Sequence, residues 1–391
     1  MASVWLHSAV WLGLAFLASL ISIRVAISVA LIEIVLGAVA GNLVGLQITD
    51  WVNFLAGFGA ILLTFLAGTE IDPRIVRKHF WSSMTIGIMG FVAPYLGVLA
   101  YAHWGLAWAW PESQIAGISL STTSVAVVYA VMIETGFNKT EIGKIILAAC
   151  FINDLGTVLA LGIVFAHYDR WVLLFGAVTA AVLVVLGRYA PRMFKRLGAR
   201  VSEPQTKFVA LILFGLGGLA SVAGSEAVLP AYLVGMALAP TFLSERELSH
   251  RMRIIAFSIL TPFYFLKAGS LIDAHAVAAA SGLIVIFLGI KMVTKFVGIL
   301  PLTIYHDFDS REGMYTTLLM STGLTFGSIS ALFGLTNKII TQSQYTILVT
   351  AVIASAVVPT LIAQRWFQPE FKALPDGSEL QEAEAAAGEE P

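Results

Sequence analysis

Thirteen stretches of this chain are apolar over lengths that match the hydrocarbon thickness of a bilayer, and no other feature limits the possible folds as sharply. They run over 5–22, 25–45, 51–69, 81–103, 115–134, 141–166, 171–189, 207–224, 228–243, 253–272, 276–304, 312–335 and 343–364, and an α-helix needs roughly 20 residues to cross. The stretch at 228–243 is the shortest and carries Pro230 and Pro240. Only 12% of the residues are charged and 58% are apolar, whereas a soluble domain holds about 25% charged residues. The chain therefore reads as an all-α polytopic membrane protein of about thirteen transmembrane helices. One cysteine, Cys150, excludes a disulfide scaffold, and a net charge of −1 gives no reason to expect nucleic acid. No Lys or Arg precedes the first apolar run, which argues against a signal peptide. Residues 367–391 are polar and acidic (Glu379, Glu382, Glu384, Glu389, Glu390) and read as a disordered tail.

Basic residues test the thirteen-span reading, because Lys and Arg concentrate on the cytoplasmic side. With the N-terminus outside, 18 of the 23 basic residues fall on inside segments. They include Arg24, Arg74, Arg77, Lys78, the run from Arg188 to Lys207, Arg246, Arg251, Arg253, Arg311, Arg365 and Lys372. Outside segments hold two, Arg170 and Lys338. A miscounted span early in the chain would destroy this split, so the sequence predicts an outside N-terminus and a cytoplasmic C-terminus.

Lys267, Lys291 and Lys295 are the three cations placed within spans. Charged groups at membrane depth are costly and point to function. Lys267 lies near the outer end of its span, where its stem can carry the ammonium to water. Lys291 and Lys295 sit near the middle of 276–304, four residues apart, and share one helix face. Two acids are deep in spans: Asp154, with Asn153 beside it at the centre of 141–166, and Glu33, nearer the inner end of the second span. A carboxylate locked in an ion pair is an expensive way to join membrane helices, so Asp154 is the leading functional candidate.

Two stretches have polar, glycine-bearing centres: Gly117-Ile-Ser119-Leu-Ser121-Thr122-Thr123-Ser124 and Ser321-Thr322-Gly323-Leu-Thr325-Phe-Gly327-Ser328-Ile-Ser330. Ser and Thr can satisfy backbone groups freed when a membrane helix unwinds. These are the fifth and twelfth spans, and the odd offset makes them run in opposite directions. Inverted repeats with one discontinuous helix each mark the substrate site of secondary transporters. A carboxylate where two such helices cross can hold a small monovalent cation with hydroxyls and freed carbonyls. Deprived of water, it also binds a proton. Competition of both ligands for one carboxylate gives exchange without a separate coupling device.

The sequence resembles the cation/proton antiporter superfamily, specifically the bacterial NapA-like and Kef-like Na+(K+)/H+ exchangers, over essentially all thirteen spans. The motifs are Phe65-Leu-Ala-Gly68-Thr-Glu70-Ile-Asp72, Leu120-Ser121-Thr122-Thr123-Ser124, Asn153-Asp154, Pro262-Phe-Tyr-Phe-Leu-Lys267-Ala-Gly269 and Lys295-Phe-Val-Gly298. The resemblance implies a NapA/NhaA-like fold, no cofactor, no enzymatic activity and a homodimer in a bacterial inner membrane. It implies a mobile core, about 81–166 and 276–364, that moves as an elevator against a dimerisation scaffold, about 1–69 and 171–272. Asp154 becomes the site for Na+ (or K+ or Li+) and H+, with Asn153, Thr122 and Thr123 around it. Lys295 becomes the site-facing lysine, preferred to Lys291 by the Lys-x-x-Gly pattern. Glu33, Ser121, Ser321, Thr322 and Ser328 are accessory candidates.

The departures matter too. Electrogenic relatives carry two adjacent aspartates where this chain has Asn153-Asp154, and electroneutral ones pair Asn-Asp with arginine where this chain has lysine. An Arg-Gly-Glu of many relatives is Phe326-Gly327-Ser328 here, which removes a second carboxylate. The tail is also too short for the nucleotide-binding domain of Kef-type systems. The leading expectation is Na+/H+ exchange. A K+/H+ exchanger and a Na+-coupled symporter of an organic anion remain alternatives. An intramembrane aspartyl protease is disfavoured, since it needs two facing aspartates and Asp154 is the one deep aspartate.

Overall fold

The computed structural model describes residues 2–25, 27–69, 77–165, 170–197, 202–224, 227–272 and 274–370. Among the described residues, sixteen α-helices follow in order. They are α1 (Ala2–Val25), α2 (Val29–Leu43), α3 (Asp50–Thr69), α4 (Phe80–Ala100), α5 (Trp110–Ser121), α6 (Val125–Thr135), α7 (Glu141–Phe165) and α8 (Arg170–Leu197). There follow α9 (Pro204–Val222), α10 (Val228–Ser244), α11 (Arg246–Ile255), α12 (Thr261–Ser270), α13 (Ala274–Tyr305), α14 (Ser310–Met320), α15 (Thr325–Thr336) and α16 (Gln342–Trp366). A π-turn over Ala256–Leu260 joins α11 to α12 into one continuous rod.

Among the described residues, 11 helical rods are long and apolar enough to cross a membrane. Two shorter apolar helices, Val29–Leu43 and Pro230–Ser244, occupy the second and ninth predicted stretches. The motif residues Glu70 and Asp72, the cations Arg74, Arg200 and Lys372, and the tail from 371 onward lie outside the described residues.

Each interrupted helix is set by local chemistry. Pro111 starts α5, and Glu112 Oε2 accepts the Ala109 amide at 3.0 Å. Asp309 and Glu312 cap α14 reciprocally in the same way. The first rod stops at Ser121, because Thr122 is extended (φ −63°, ψ 151°), and Ser124 caps the restart by accepting the Val127 amide at 3.4 Å. The second rod stops at Met320 and resumes at Thr325. Both gaps fall in the hydroxyl-rich centres of their spans.

The helices pack in two groups. In one, α12 lies between α2 and α3, α10 packs on α3, and α8 packs on α10. These contacts are very close. A Cβ on Gly235 of α10 would strike the Phe65 carbonyl of α3, and one on Gly269 of α12 would strike the Ile34 carbonyl of α2. Such small-residue contacts are how membrane helices associate without a hydrophobic drive. In the other group, α4 packs against α5, α7 and α13, α13 packs against α14 and α16, and α15 packs against α5 and α16. The groups meet where α3 touches α6, α2 touches α6 and α16, and α10 touches α7. At one of these seams Glu134 Oε2 of α6 accepts the Val29 amide at 2.9 Å, and Gln364 Oε1 of α16 accepts the Ser28 amide at 3.3 Å. The N-terminus of α2 is thus capped from the opposite group. Large apolar side chains such as Trp5, Phe16, Leu173 and Val184 point outward, as a lipid-facing surface requires.

Candidate functional site

The two helix breaks touch one another. Ser124 N donates to the Thr322 carbonyl at 3.2 Å, and Thr123 Oγ1 donates to the Met320 carbonyl at 2.7 Å. Backbone groups freed by one break are satisfied by the other, which is how non-helical backbone survives at membrane depth. The remaining hydroxyls turn back on their own helices. Ser121 bonds the Ile118 carbonyl at 2.9 Å, Thr122 bonds Ser119 at 3.1 Å, Ser321 bonds Thr317 at 2.7 Å and Thr322 bonds Leu319 at 2.8 Å. These four therefore build the breaks and present carbonyls. Ser328 sits on α15, half-buried, and makes no hydrogen bond to this cluster among the described residues.

Helix α7 brings Asn153 and Asp154 against the first break. Asn153 Oδ1 accepts the Thr123 amide at 2.8 Å, and its Nδ2 donates to the Ser121 carbonyl at 3.4 Å. Asp154 is 4% exposed. The Val125 amide, at the start of α6, is directed to its carboxylate, while Oδ1 has no hydrogen-bond partner. A buried carboxylate oxygen without a partner is costly, and a cation or proton held at this atom would relieve that cost.

Both deep lysines are used, each on an adjacent residue of the same break. Lys291 Nζ donates to the Thr122 carbonyl at 3.1 Å and to Ser355 Oγ at 2.8 Å. Lys295 Nζ donates to Thr123 Oγ1 at 2.8 Å. Each charge lies at a helix end of opposite sign. Lys291 meets the C-terminal end of α5, Lys295 acts through Thr123 on the C-terminal carbonyl of α14, and Asp154 faces the N-terminus of α6. These are the ends whose partial charges such groups offset. Lys295 couples electrostatically to Asp154, but no ion pair joins them among the described residues. Gly323 makes room for Lys291, because a side chain there would collide with Nζ.

Glu33 lies elsewhere. It is buried on α2, its Oε2 is unpartnered, and its coupled neighbour is Glu134 of α6 rather than Asp154. Three participants were not singled out from the sequence. They are Ser355, which shares Lys291; Glu134, which reads as a span-end acid; and Tyr264 of α12, whose hydroxyl lies 2.6 Å from Thr325 Oγ1. The described residues hold no group of three or more His, Cys, Asp or Glu suited to a metal. Asp154 with nearby hydroxyls and carbonyls offers the all-oxygen chemistry that a hard monovalent cation could use.

Comparison with known proteins finds relatives of nearly the whole chain. The family described as "Sodium/hydrogen exchanger, transmembrane" matches residues 12–368. The chain is 25% identical over 354 residues to the probable Na(+)/H(+) antiporter 3 of Methanocaldococcus jannaschii, covering 86% of this chain and 88% of that one. It is 23% identical over 370 residues to the Na(+)/H(+)-K(+) antiporter GerN of Bacillus cereus, covering 92% and 95%. The fold superposes on the sodium proton antiporter MjNhaP1 of Methanocaldococcus jannaschii with a TM-score of 0.75 at 12% identity, over 96% of this chain and 100% of that one. The chain belongs to the transmembrane sodium/hydrogen exchanger family, and with it to the cation/proton antiporter superfamily.

Proposed function

We propose that this protein exchanges Na+ for H+ at one site, with both ligands competing for Asp154. The observation that carries the reading is the unpartnered, buried Asp154 Oδ1 beside two helix breaks. An ionised Asp154 binds Na+ with help from break carbonyls, and a protonated Asp154 releases it. The empty charged site is the species that cannot cross, because an unpaired charge in a low-dielectric interior is costly. Transport then needs one ligand or the other in each direction.

The packing supports a mobile core made of α4–α7 and α13–α16, working by elevator motion against a scaffold of α1–α3 and α8–α12. In this reading the chain makes thirteen crossings, with the two broken helices crossing at mid-membrane. The N-terminus is outside and the C-terminus cytoplasmic, and the protein acts as a homodimer in a bacterial inner membrane. K+ in place of Na+ is the second reading, and the printed name of GerN, which includes K+, favours keeping it. In proteoliposomes with an imposed pH gradient, added Na+ should dissipate the gradient, and Asp154→Asn should reduce the response to that of empty liposomes. Full activity in Asp154→Asn would overturn the assignment; a response to K+ alone would select the second reading.

A further inference from the structure

The exchange scheme leaves one polar contact at the breaks unused, and it comes from the scaffold. Tyr264, on α12, places its hydroxyl 2.6 Å from Thr325 Oγ1, at the first residue of α15. Thr325 Oγ1 is 3.2 Å from Ser124 Oγ, the cap of α6. Three hydroxyls thus run from α12 through one break to the other, ending beside Val125, whose amide faces Asp154. Asp154 is also within electrostatic range of Tyr264.

Tyr264 is fixed on its own side. Its ring lies 5.0 Å from Phe265, and α12 is wedged between α2 and α3. Thr325 and Ser124, in contrast, are core residues and travel with the ion site if the core moves. Other hydrogen bonds between the groups, among them Tyr232 hydroxyl to the Leu147 carbonyl at 3.2 Å, Glu134 to the Val29 amide at 2.9 Å and Gln364 to the Ser28 amide at 3.3 Å, involve no residue of either break. A hydroxyl pair suits a contact that is remade every cycle, because its net value is modest. A buried ion pair, with its cost of separation, does not.

Building on the exchange reading, we propose that Tyr264 is a positioning residue whose hydroxyl clasps Thr325 and so favours the core position seen here over the opposite one. Its hydroxyl does not touch the cation. It acts by weighting one end of the transport cycle, so that losing it redistributes the two populations while leaving the site intact.

The test uses the whole protein, uniformly oriented in proteoliposomes, with half-saturation for Na+ measured from each face. Apparent affinity at a face scales with the population open to it, so the ratio of the two values reports the balance between core positions. Tyr264→Phe removes one oxygen and should change that ratio by about two- to tenfold. Thr325→Val should change it in the same direction. The double variant should go no further than Thr325→Val alone, because Thr325→Val already lacks both the Tyr264 bond and the Ser124 contact. An unchanged ratio in Tyr264→Phe and Thr325→Val, equal weakening at both faces, or fully additive effects would each overturn the clasp. Absence of Na+-driven exchange in the unmodified protein would instead overturn the exchange reading itself.

Discussion

Asn153 Oδ1 accepts the Thr123 amide at 2.8 Å, so the residue beside the proposed ion-binding carboxylate is also the support of the first helix break. Thr123 is fully buried and extended backbone leaves its N–H without a helical partner. Asn153→Ala strands that donor, and an orphaned buried amide costs about 1–3 kcal/mol. Thermal unfolding in detergent should show a clear loss of stability. Asn153→Asp keeps an acceptor for Thr123 and, when protonated, can still donate to the Ser121 carbonyl across the long 3.4 Å contact, so at a pH low enough to keep the new acid neutral it should retain most of the stability. Equal loss in both variants would mean that Asn153 does not support the break in this way.

Gly323 marks the point where Lys291 enters the second break. A methyl group there meets Lys291 Nζ and also lies 3.0 Å from Ser355 Oγ. The lysine must then abandon the Thr122 carbonyl or the backbone must shift, and overpacking of this kind costs about 1–3 kcal/mol. Gly323→Ala should therefore lower exchange by about tenfold or more while the protein still reaches the membrane. Wild-type rates in Gly323→Ala would show that Lys291 is not held where this packing places it.

The placement of helices was readable because apolar length is a direct physical requirement for crossing a bilayer. Asp154 stood out because a carboxylate at that depth is rare, and Thr122, Thr123, Ser321 and Thr322 because hydroxyls and glycine were concentrated at two span centres. The preference for Lys295 over Lys291 rested on the Lys-x-x-Gly resemblance alone, since residues four apart share a face. In the fold each serves a different residue of one break, Thr122 and Thr123 respectively. Tyr264, quoted only within the Pro262–Gly269 motif, and Ser355 were given no role for a different reason. A tyrosine or serine in an apolar stretch is ordinary, and only tertiary packing brings Tyr264 to Thr325 and Ser355 to Lys291. Backbone acceptors such as the Met320 carbonyl carry no side-chain signature at all.

The two lysines should separate experimentally. Lys295 is coupled to Asp154, whereas Lys291 is coupled to Lys295 and holds the C-terminal end of α5. Lys295→Met removes an ammonium beside the proposed cation site, so at a pH where Lys295 is protonated Na+ binding should tighten by about three- to tenfold. Lys291→Met should leave Na+ affinity within about twofold and lower the unfolding temperature, because the Thr122 carbonyl loses its donor. Titration calorimetry and thermal unfolding on the same samples distinguish the pair. An Na+ affinity change confined to Lys291→Met would reverse their roles.

One unpaired carboxylate also fixes how protons and Na+ interfere. Asn153 has no proton to exchange, and no second acid reaches Asp154 among the described residues. In the proposed exchange, Na+ therefore competes with a single proton. Lowering the pH raises the proton-bound fraction of Asp154, so the Na+ half-saturation must rise. By mass action the increase approaches about tenfold per pH unit once the protonated form dominates. The maximal rate at saturating Na+ changes much less over the same range, since excess cation displaces the proton. Asn153→Asp supplies a second acid at the break and should steepen the dependence beyond that limit if both acids must lose protons before Na+ enters. Flux assays across a pH series measure both slopes. A half-saturation independent of pH in the unmodified protein would mean that proton and cation do not share Asp154, and the coupling would then have to reside in a second group.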